Sequence, residues 1–417
     1  MPTSAADIIR DFNSDREPER LAMKLDAMAG DPFVFLRGTA HLFYQRLSEK
    51  SLNPGGPPAW ICGDLHLENF GTYLGDNGLT YFDINDYDEA ALAPVTWDIV
   101  RLATSVYVAA PGLKLSDTDA ETLANDLVET WRQELQAGKV QWIERKTATG
   151  IIGELIDSLK SRRPVKFLDK RTTVKKGLRR LDTGNGKALP LADEDRKPLG
   201  NFTDSLADND IEKRYFRLVD AARRIAGTGS LGIQRYVLLI EGEGSPDGNE
   251  LLDIKAAKPS SIIPYSPSKQ PKWTNDAERV VAVANRCQAV TPGLMHALTF
   301  KGEPYVVKAL QPTTDRLKLS DAASANRETF SDAVHTMGKL AAWAELRATG
   351  RGGAASADEL IAFASVKSVT ATVLNAARTM AAATVADWTD YAAAYKAGAF
   401  PDASKLSKKA AKDKDAA

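Results

Sequence analysis

Residues 61–90 read ICGDLHLENFGTYLGDNGLTYFDINDYDEA, a stretch that places many side-chain oxygens around one short predicted hairpin. Asp64 and Asn69 follow the apolar run AWICGDL, and Asp83 ends the apolar run LTYFDI. Both runs are predicted strands. A carboxylate beside a hydroxyl can accept its proton, and Mg²⁺ prefers oxygen ligands. The stretch therefore favours phosphoryl-transfer chemistry, against the alternative of a surface hairpin whose Asp and Asn side chains only satisfy backbone groups.

The composition indicates a globular protein without a strong general attraction to polyanions. The chain has 417 residues, of which 43% are hydrophobic, enough for a large core and more than one lobe. Its 54 Lys and Arg residues nearly balance 55 Asp and Glu residues, so nucleic acid or an anionic membrane is not an expected partner. Two distant cysteines and no apolar leader predict a cytoplasmic protein.

Helices are predicted through most of the chain. The N-terminal region 4–50 is interrupted by a strand-like run, AGDPFVFLRGT. Further helices are predicted over TWDIVRLATSVYVAA, 118–137, 140–160, 211–226, 275–289 and from 325 to about 397. The basic segment 160–180 is either a solvated face or an anion-contacting loop. The charged tail, 401–417, is expected to be disordered.

A strand-rich segment begins at Gly227 with GTGSLGIQRYVLLIEGEGSPDGNELLDIKAAKP, the pattern of a hairpin. Gly227, Gly229 and Gly232 have G-x-G-x-x-G spacing, and Ser230 belongs to the same turn. The dinucleotide-binding interpretation fails, because no helix follows the glycines. Backbone amides of such a turn can instead close over phosphates, and Lys255 on the second strand can reach their oxygens.

The motif GDLHLENF resembles the G-D-x-H-x-x-N catalytic loop of aminoglycoside phosphotransferases, choline kinases and related protein-kinase-like proteins. YFDINDYDEAALAPVTWDIVRLA is similar to the segment that follows it in those families. The resemblance implies that Asp64 is the catalytic base and that Asn69 and Asp83 bind Mg²⁺. It also implies that Asp98 braces the loop and that His66 is a structural hydrogen-bonding residue.

In those families the nucleotide-binding half of the protein comes before the catalytic loop. Here only about sixty residues come before that loop. The corresponding parts follow instead: the glycine turn, Lys255, and a helix, DAERVVAVANRC, in which Glu278 is expected to pair with Lys255. MGKLAAWAELRATG resembles the helix that normally comes just before the catalytic loop. The resemblance therefore implies an α+β, two-lobed protein-kinase-like fold that is circularly permuted.

Several polar residues keep alternative roles. Asp86, Asp88 and Glu89 are extra metal ligands or substrate contacts in one interpretation, and solvated or helix-capping carboxylates in the other. Arg37 contacts either phosphate or an acidic residue of the loop. The chain also resembles a bacterial family of uncharacterised proteins, domain of unknown function 2252, through FVFLRGTA, WICGDLHLENFG, FDINDYDEA, GTGSLG and LLDIKAA.

The sequence thus predicts an ATP- and Mg²⁺-dependent phosphotransferase acting on a hydroxyl of an unknown small molecule or protein. The alternatives are a catalytically inactive nucleotide-binding scaffold and a nucleotidyl transferase that moves AMP on the same fold. Acidic residues 86–89 would suit a cationic acceptor and the basic segment 160–180 an anionic one. The predicted divisions are an N-terminal extension (1–60), a first helical part (61–215), a small nucleotide-binding part (216–312), a second helical part (313–400) and the tail (401–417).

Overall fold

A computed structural model describes residues 4–160, 164–184, 186–208, 210–225, 227, 229–311, 316–317, 319–320, 323 and 327–401. Within these residues the chain is a mixed α+β protein with fourteen helices and several small antiparallel sheets. The tail that was expected to be disordered lies outside the described residues from 402 onward.

The helices of the described residues are distributed over both ends of the chain and its middle. In chain order they are α1 (Ala5–Phe12), α2 (Pro18–Gly30), α3 (Pro32–Gly38), α4 (Ala40–Leu47), α5 (Thr96–Ala109), α6 (Asp117–Ala137), α7 (Gly150–Lys160), α8 (Pro164–Asp169), α9 (Asp193–Asp204), α10 (Asp210–Phe216), α11 (Asp276–Cys287), α12 (Arg327–Arg347), α13 (Ala357–Ala364) and α14 (Val369–Lys396).

The strands form one six-stranded sheet and three smaller sheets, with every pair antiparallel. They are β1 (Pro58–Ile61), β2 (Phe70–Leu74), β3 (Thr80–Ile84), β4 (Ala91–Pro94), β5 (Ile143–Glu144), β6 (Thr172–Lys175), β7 (Leu178–Leu181), β8 (Ala188–Leu189), β9 (Leu218–Arg224), β10 (Arg235–Gly244), β11 (Gly248–Ala256), β12 (His296–Phe300) and β13 (Glu303–Ala309). The six-stranded sheet has the order β12-β13-β11-β10-β9-β8, and the others pair β1 with β4, β2 with β3 and β5, and β6 with β7.

Alternation along β10 gives the six-stranded sheet two buried faces. Tyr236, Leu238 and Ile240 belong to one hydrophobic cluster, which also contains residues of α9 and α10. Val237 and Leu239 belong to a second cluster on the opposite face. Successive strand residues point to opposite faces, so an apolar run such as RYVLLI is typical of a strand covered on both sides. The second face is the one that borders the site described below.

The largest core surrounds α5, a helix in which almost every residue is buried. Helices α6, α12, α13 and α14 contribute apolar residues to the same core, together with β1 and β4. Segments from the beginning and the end of the chain therefore pack as one body. The N-terminal helices α1 to α3 form a further cluster with the end of α14, where Leu25, Phe35 and Tyr391 are buried together.

Three secondary-structure predictions were wrong. The apolar run FVFLRG is helix α3, because Pro32 opens it and the Asp31 carboxylate caps Val34 N at 2.7 Å. The helix predicted over 211–226 ends at Phe216, and β9 follows because it pairs with β10. The helix predicted over 140–160 begins only at Gly150.

Among the described residues, no single helix combines the length and the apolar composition needed to cross a membrane. The bent pair of α13 and α14 meets that test only when the two helices are counted together.

Candidate functional site

A cavity of about 450 Å³ lies between the six-stranded sheet, the loops on either side of β2 and β3, and the N-terminal helices. The loop before β2 contributes Asp64 and Asn69 to its lining, and β11 contributes Lys255. Gly227, Gly229 and Ser230 of the glycine turn line it too. The two distant segments that the sequence singled out therefore meet at one cavity.

Asp98 fixes the start of the loop that carries Asp64. From the first turn of α5 its carboxylate accepts hydrogen bonds from Cys62 N at 2.7 Å and Gly63 N at 2.9 Å. Asp98 is buried, and burial raises its pKa to about 6. Gly63 has φ +86°, and a Cβ there would lie 2.5 Å from the Glu89 carbonyl oxygen. Only glycine fits this close approach between the two loops.

Asp64 faces the cavity and forms an ion pair with Arg101, a fully buried residue of α5. Arg101 Nε and Nη2 both donate to Asp64 Oδ1, at 3.0 and 2.5 Å. Arg101 is itself held by the Leu36 carbonyl and lies over the Phe43 ring at 4.8 Å. Since both hydrogen bonds end on Oδ1, the second carboxylate oxygen of Asp64 is the one available to a substrate hydroxyl.

Asn69 ties the two polar loops together. Its Nδ2 donates to the Asp64 carbonyl at 3.1 Å and to the Asp86 carbonyl at 3.2 Å. Its own carbonyl accepts from Asn85 N at 3.0 Å. With the amide nitrogen committed to these two carbonyls, the amide oxygen is the group that Asn69 can offer to a cation.

The structure does not bring Asp83 to the cavity, contrary to its expected role as a metal ligand. Strand β3 continues to Ile84, and the buried Asp83 carboxylate accepts from Ile84 N at 2.9 Å and Ala289 N at 3.0 Å. Arg347 approaches it to 3.4 Å from the end of α12. Burial raises the pKa of Asp83. Its contacts join β3 to the ends of α11 and α12, which is a packing role.

Asp86, three residues after Asp83, has its side chain at the cavity. Asp86 and Asp88 both line the cavity, and both form ion pairs with Lys255 Nζ, that of Asp86 at 3.8 Å. Burial acts to raise the pKa of Asp86, but the charges of Lys255 and Lys308 outweigh it and leave that pKa lowered. Burial lowers the pKa of Lys255. The two lysines therefore favour the charged form of Asp86, whereas burial disfavours the charged form of Lys255.

Glu278 does not pair with Lys255. It lies on the exposed side of α11, where its carboxylate accepts from Thr274 N at 2.9 Å. The neighbouring Arg279 points inward instead and is 1% exposed. Its guanidinium donates to the Asp88 carbonyl at 3.0 Å and the Ala90 carbonyl at 2.7 Å. The buried positions of α11 could have revealed this, because they share one helical face with residue 279 and not with residue 278.

The glycine turn joins β9 to β10 and is held by the N-terminal segment. Arg16 Nη1 donates to the Gly229 and Leu231 carbonyls at 2.8 and 2.7 Å, and Glu17 N donates to the Gly232 carbonyl at 3.1 Å. A Cβ at Gly232 would lie 2.8 Å from Arg16 Cβ. Gly232 thus serves close packing against the N-terminal segment, while the other members of the turn line the cavity.

His66 and Arg37 take structural positions at the edge of the site. Burial lowers the pKa of His66 well below its usual value, and the neutral ring accepts a hydrogen bond from Glu68 N at 3.1 Å. This agrees with the expected hydrogen-bonding role. Arg37 lines the cavity and forms an ion pair with Glu68.

Sequence reasoning missed the contribution of the N-terminal helices. Phe12, Arg16, Lys24 and His41 all line the cavity, although region 1–60 was expected to be only an extension. No motif marks these residues, since their placement depends on how α1 to α4 pack against α5 and α14. They add to a marked positive balance, because the cavity is lined by eleven Lys and Arg residues and seven Asp and Glu residues. Such a lining suits a ligand that carries several negative charges.

The side-chain oxygens at the cavity suit Mg²⁺ only if other oxygen ligands complete its coordination. No group of three or more His, Cys, Asp or Glu side chains that could hold a metal occurs within the described part of the chain. Asn69 and Asp86 offer one amide oxygen and one carboxylate, and Asp88 adds a neighbouring carboxylate. Mg²⁺ is commonly held by one or two carboxylates together with waters and phosphate oxygens. These residues therefore fit a magnesium ion that arrives with a phosphorylated ligand.

Comparison with known proteins identifies one family. Residues 16–394 match the model of the family described as "Uncharacterized protein conserved in bacteria (DUF2252)". No match was found among curated proteins or among solved structures. The matched region includes every residue of the cavity discussed above except Phe12. The chain therefore belongs to the bacterial DUF2252 family.

Proposed function

We propose that this protein is an ATP- and Mg²⁺-dependent phosphotransferase that moves the γ-phosphoryl group to a hydroxyl. The observation that carries the proposal is one cavity lined by Asp64, Asn69, Asp86, Lys255 and the glycine turn. A carboxylate, a set of hard oxygen ligands, a lysine and the backbone amides of a glycine turn are the groups that phosphoryl transfer uses. The excess of cationic side chains around them suits a triphosphate.

A circularly permuted, two-lobed protein-kinase-like fold accounts for the arrangement. The six-stranded sheet would be the nucleotide-binding lobe, with the glycine turn, Lys255 and α11 following in the usual order. The chain after α12 lies beside β1, where Ala355 N donates to the Pro58 carbonyl at 2.8 Å and Trp60 Nε1 to the Arg351 carbonyl at 2.7 Å. The helix expected before the catalytic loop thus ends next to the strand that leads into that loop.

The proposed mechanism assigns one task to each group. The glycine turn and Lys255 position the phosphates, and Asn69 and Asp86 would hold Mg²⁺, which neutralises phosphate charge when bound. Asp64 orients the acceptor hydroxyl and takes its proton through the carboxylate oxygen that Arg101 leaves available. Asp86 takes the place of Asp83 in this scheme, because Asp83 is turned into the protein.

The test compares ATP labelled in the γ-phosphate with ATP labelled in the α-phosphate. Purified protein is incubated with Mg²⁺, either label, and pools of hydroxyl-bearing metabolites or proteins. We expect label from the γ-phosphate alone to reach product. Lys255→Met should weaken binding of a non-hydrolysable ATP analogue by about tenfold, equivalent to ~1.4 kcal/mol. Lys301→Met is the matched control, because Lys301 is half-exposed and pairs with Asp195 away from the cavity.

Two results would contradict the proposal. Transfer of the α-label would identify a nucleotidyl transferase, and absence of any ATP binding would remove the nucleotide site altogether. A nucleotide-binding protein without turnover is a second candidate, favoured by the Arg101 pair, because Arg101 occupies one oxygen of the Asp64 carboxylate. Mg²⁺-dependent ATP binding without product from either label would support that candidate.

A further inference from the structure

Lys24 is a buried lysine at the N-terminal wall of the cavity. It is 1% exposed, and among the described residues its Nζ makes one hydrogen bond, to Asn13 Oδ1 at 3.0 Å. It forms no salt bridge with any residue that the structure describes, whereas Lys255 and Lys258 of the same cavity pair with Asp88 and Asp15. An ammonium group without a counter-ion is costly to bury. A ligand anion would offset that cost.

His41 presents a second uncommitted polar group at the same wall. It is 4% exposed, lines the cavity, and neither ring nitrogen has a hydrogen-bond partner among the described residues. Its ring stacks on Phe12 with centroids 3.7 Å apart. Burial, followed by the charge of Lys24, lowers the pKa of His41 well below its usual value. The neutral ring therefore offers one donor and one acceptor.

The carboxylates near this wall already have donors. Glu89 Oε2 accepts from Ser261 N at 2.7 Å and Ser261 Oγ at 2.8 Å, and Asp64 is paired with Arg101. Lys24 lies close enough to Asp64 and Glu89 for their charges to influence its pKa, although burial is the larger effect and lowers it well below its usual value. Neither carboxylate forms a salt bridge with Lys24 among the described residues, so an anion bound at this wall would be its counter-ion.

We propose that Lys24 and His41 form the subsite for the phosphoryl acceptor, and that this acceptor carries an anionic group, a carboxylate or a phosphate, beside its hydroxyl. This inference rests on the proposed phosphotransfer. The anion would pair with Lys24, a polar atom of the acceptor would bond to His41, and the hydroxyl would lie at Asp64. A cationic acceptor would meet Lys24 and Arg16 and be repelled.

The test uses four small probes that differ mainly in charge: glycerol, glycerate, glycerol 3-phosphate and the amine serinol. Calorimetry measures their binding to the full chain with Mg²⁺ and a non-hydrolysable ATP analogue present. We expect glycerate or glycerol 3-phosphate to bind at least about tenfold more tightly than glycerol or serinol. Which of the two binds better distinguishes a carboxylate acceptor from a phosphorylated one.

Lys24→Met removes the charge and keeps most of the side-chain volume. It should weaken the preferred anionic probe by about tenfold while the affinity for the ATP analogue stays within about twofold. Lys301→Met is the matched control, because Lys301 is half-exposed and pairs with Asp195 away from the cavity, and it should leave the affinity for the anionic probe within about twofold. His41→Phe keeps the stacking on Phe12 and should weaken the same probe.

A wild-type protein that prefers serinol or glycerol, or binds none of the four probes, would overturn the inference whatever the variants do. Loss of ATP-analogue affinity in Lys24→Met, with anionic probes unaffected, would assign Lys24 to the nucleotide phosphates and also overturn it. Failure of the proposed function is a separate result. In that case the wild type does not bind the ATP analogue, and the probes and inorganic phosphate are measured without nucleotide. Tighter binding of the anionic probes by the wild type than by Lys24→Met would then support the anion subsite, and equal binding by the two proteins would overturn it.

Discussion

Replacing Asp98 tests whether one buried carboxylate holds the loop of Asp64 in place. In Asp98→Ala, the buried amides of Cys62 and Gly63 lose their acceptors. Each unpaired buried donor costs about 1–3 kcal/mol, so the free energy of unfolding should fall by roughly 2–6 kcal/mol. Asp98→Asn keeps one acceptor oxygen and should lose about half as much. Equilibrium urea unfolding followed by tryptophan fluorescence measures both changes.

The raised pKa of Asp98 makes the free energy of unfolding depend on pH. The group has a pKa of about 6 in the folded protein against 3.8 as its usual value, so the folded state binds more protons between these values. Its contribution to stability is therefore present at low pH and is lost as pH rises toward and through 6. Between pH 5 and pH 7.5 this loss is on the order of 1 kcal/mol.

The destabilisation by Asp98→Ala should accordingly be larger at pH 5 than at pH 7.5 by that amount. Asp332→Ala is the control, because Asp332 is an exposed carboxylate on α12 and should change stability by less than about 0.5 kcal/mol. An Asp98→Ala protein within about 1 kcal/mol of the wild type, or a destabilisation that does not depend on pH, would refute the role assigned to Asp98.

Asp86→Asn should abolish Mg²⁺-dependent tightening of ATP-analogue binding, whereas Asp83→Asn should chiefly lower the thermal midpoint; the reverse pattern, in calorimetry and thermal unfolding, would restore Asp83 as the metal ligand. Arg279→Ala removes hydrogen bonds to two loop carbonyls and should cost about 2–5 kcal/mol, while Glu278→Ala on the same helix should cost less than about 1 kcal/mol. Urea unfolding of the two variants side by side would contradict this if they were equally stable. Gly63→Ala should cost about 2–4 kcal/mol in the same assay, because φ is +86° and a Cβ would lie 2.3 Å from Ile262 Cδ1; a fully stable variant would show that the loops can separate freely.

Local patterns predicted many of the elements. The capped and amphipathic helices α6, α11 and α12, the hairpin of β10 and β11, and the pair β12 and β13 all follow from short-range periodicity and turn residues. Predictions failed where partners from elsewhere decide the outcome. Residues 218–224 form strand β9 because they pair with β10. Helix α3 is helical because its N-cap and its packing outweigh its apolar, strand-like sequence.

The sequence by itself indicated which chemical groups take part, because the motif spacing placed Asp64, Asn69 and the glycine turn in loops beside predicted strands. Only the tertiary structure decided which neighbouring side chain faces the cavity. Asp86 does so and Asp83 does not, because β3 extends one residue beyond Asp83 and turns its carboxylate inward.

The wall formed by Lys24 and His41 was likewise invisible to sequence reasoning. These residues lie on α2 and α4, and they reach the cavity only because the N-terminal helices pack against α5 and the C-terminal α14. A shift of one residue turns a side chain to the opposite face of a strand, or by about 100° around a helix. Contacts between the two ends of a chain leave no short-range pattern. The type of chemistry was therefore local information, and the shape and charge of the pocket were not.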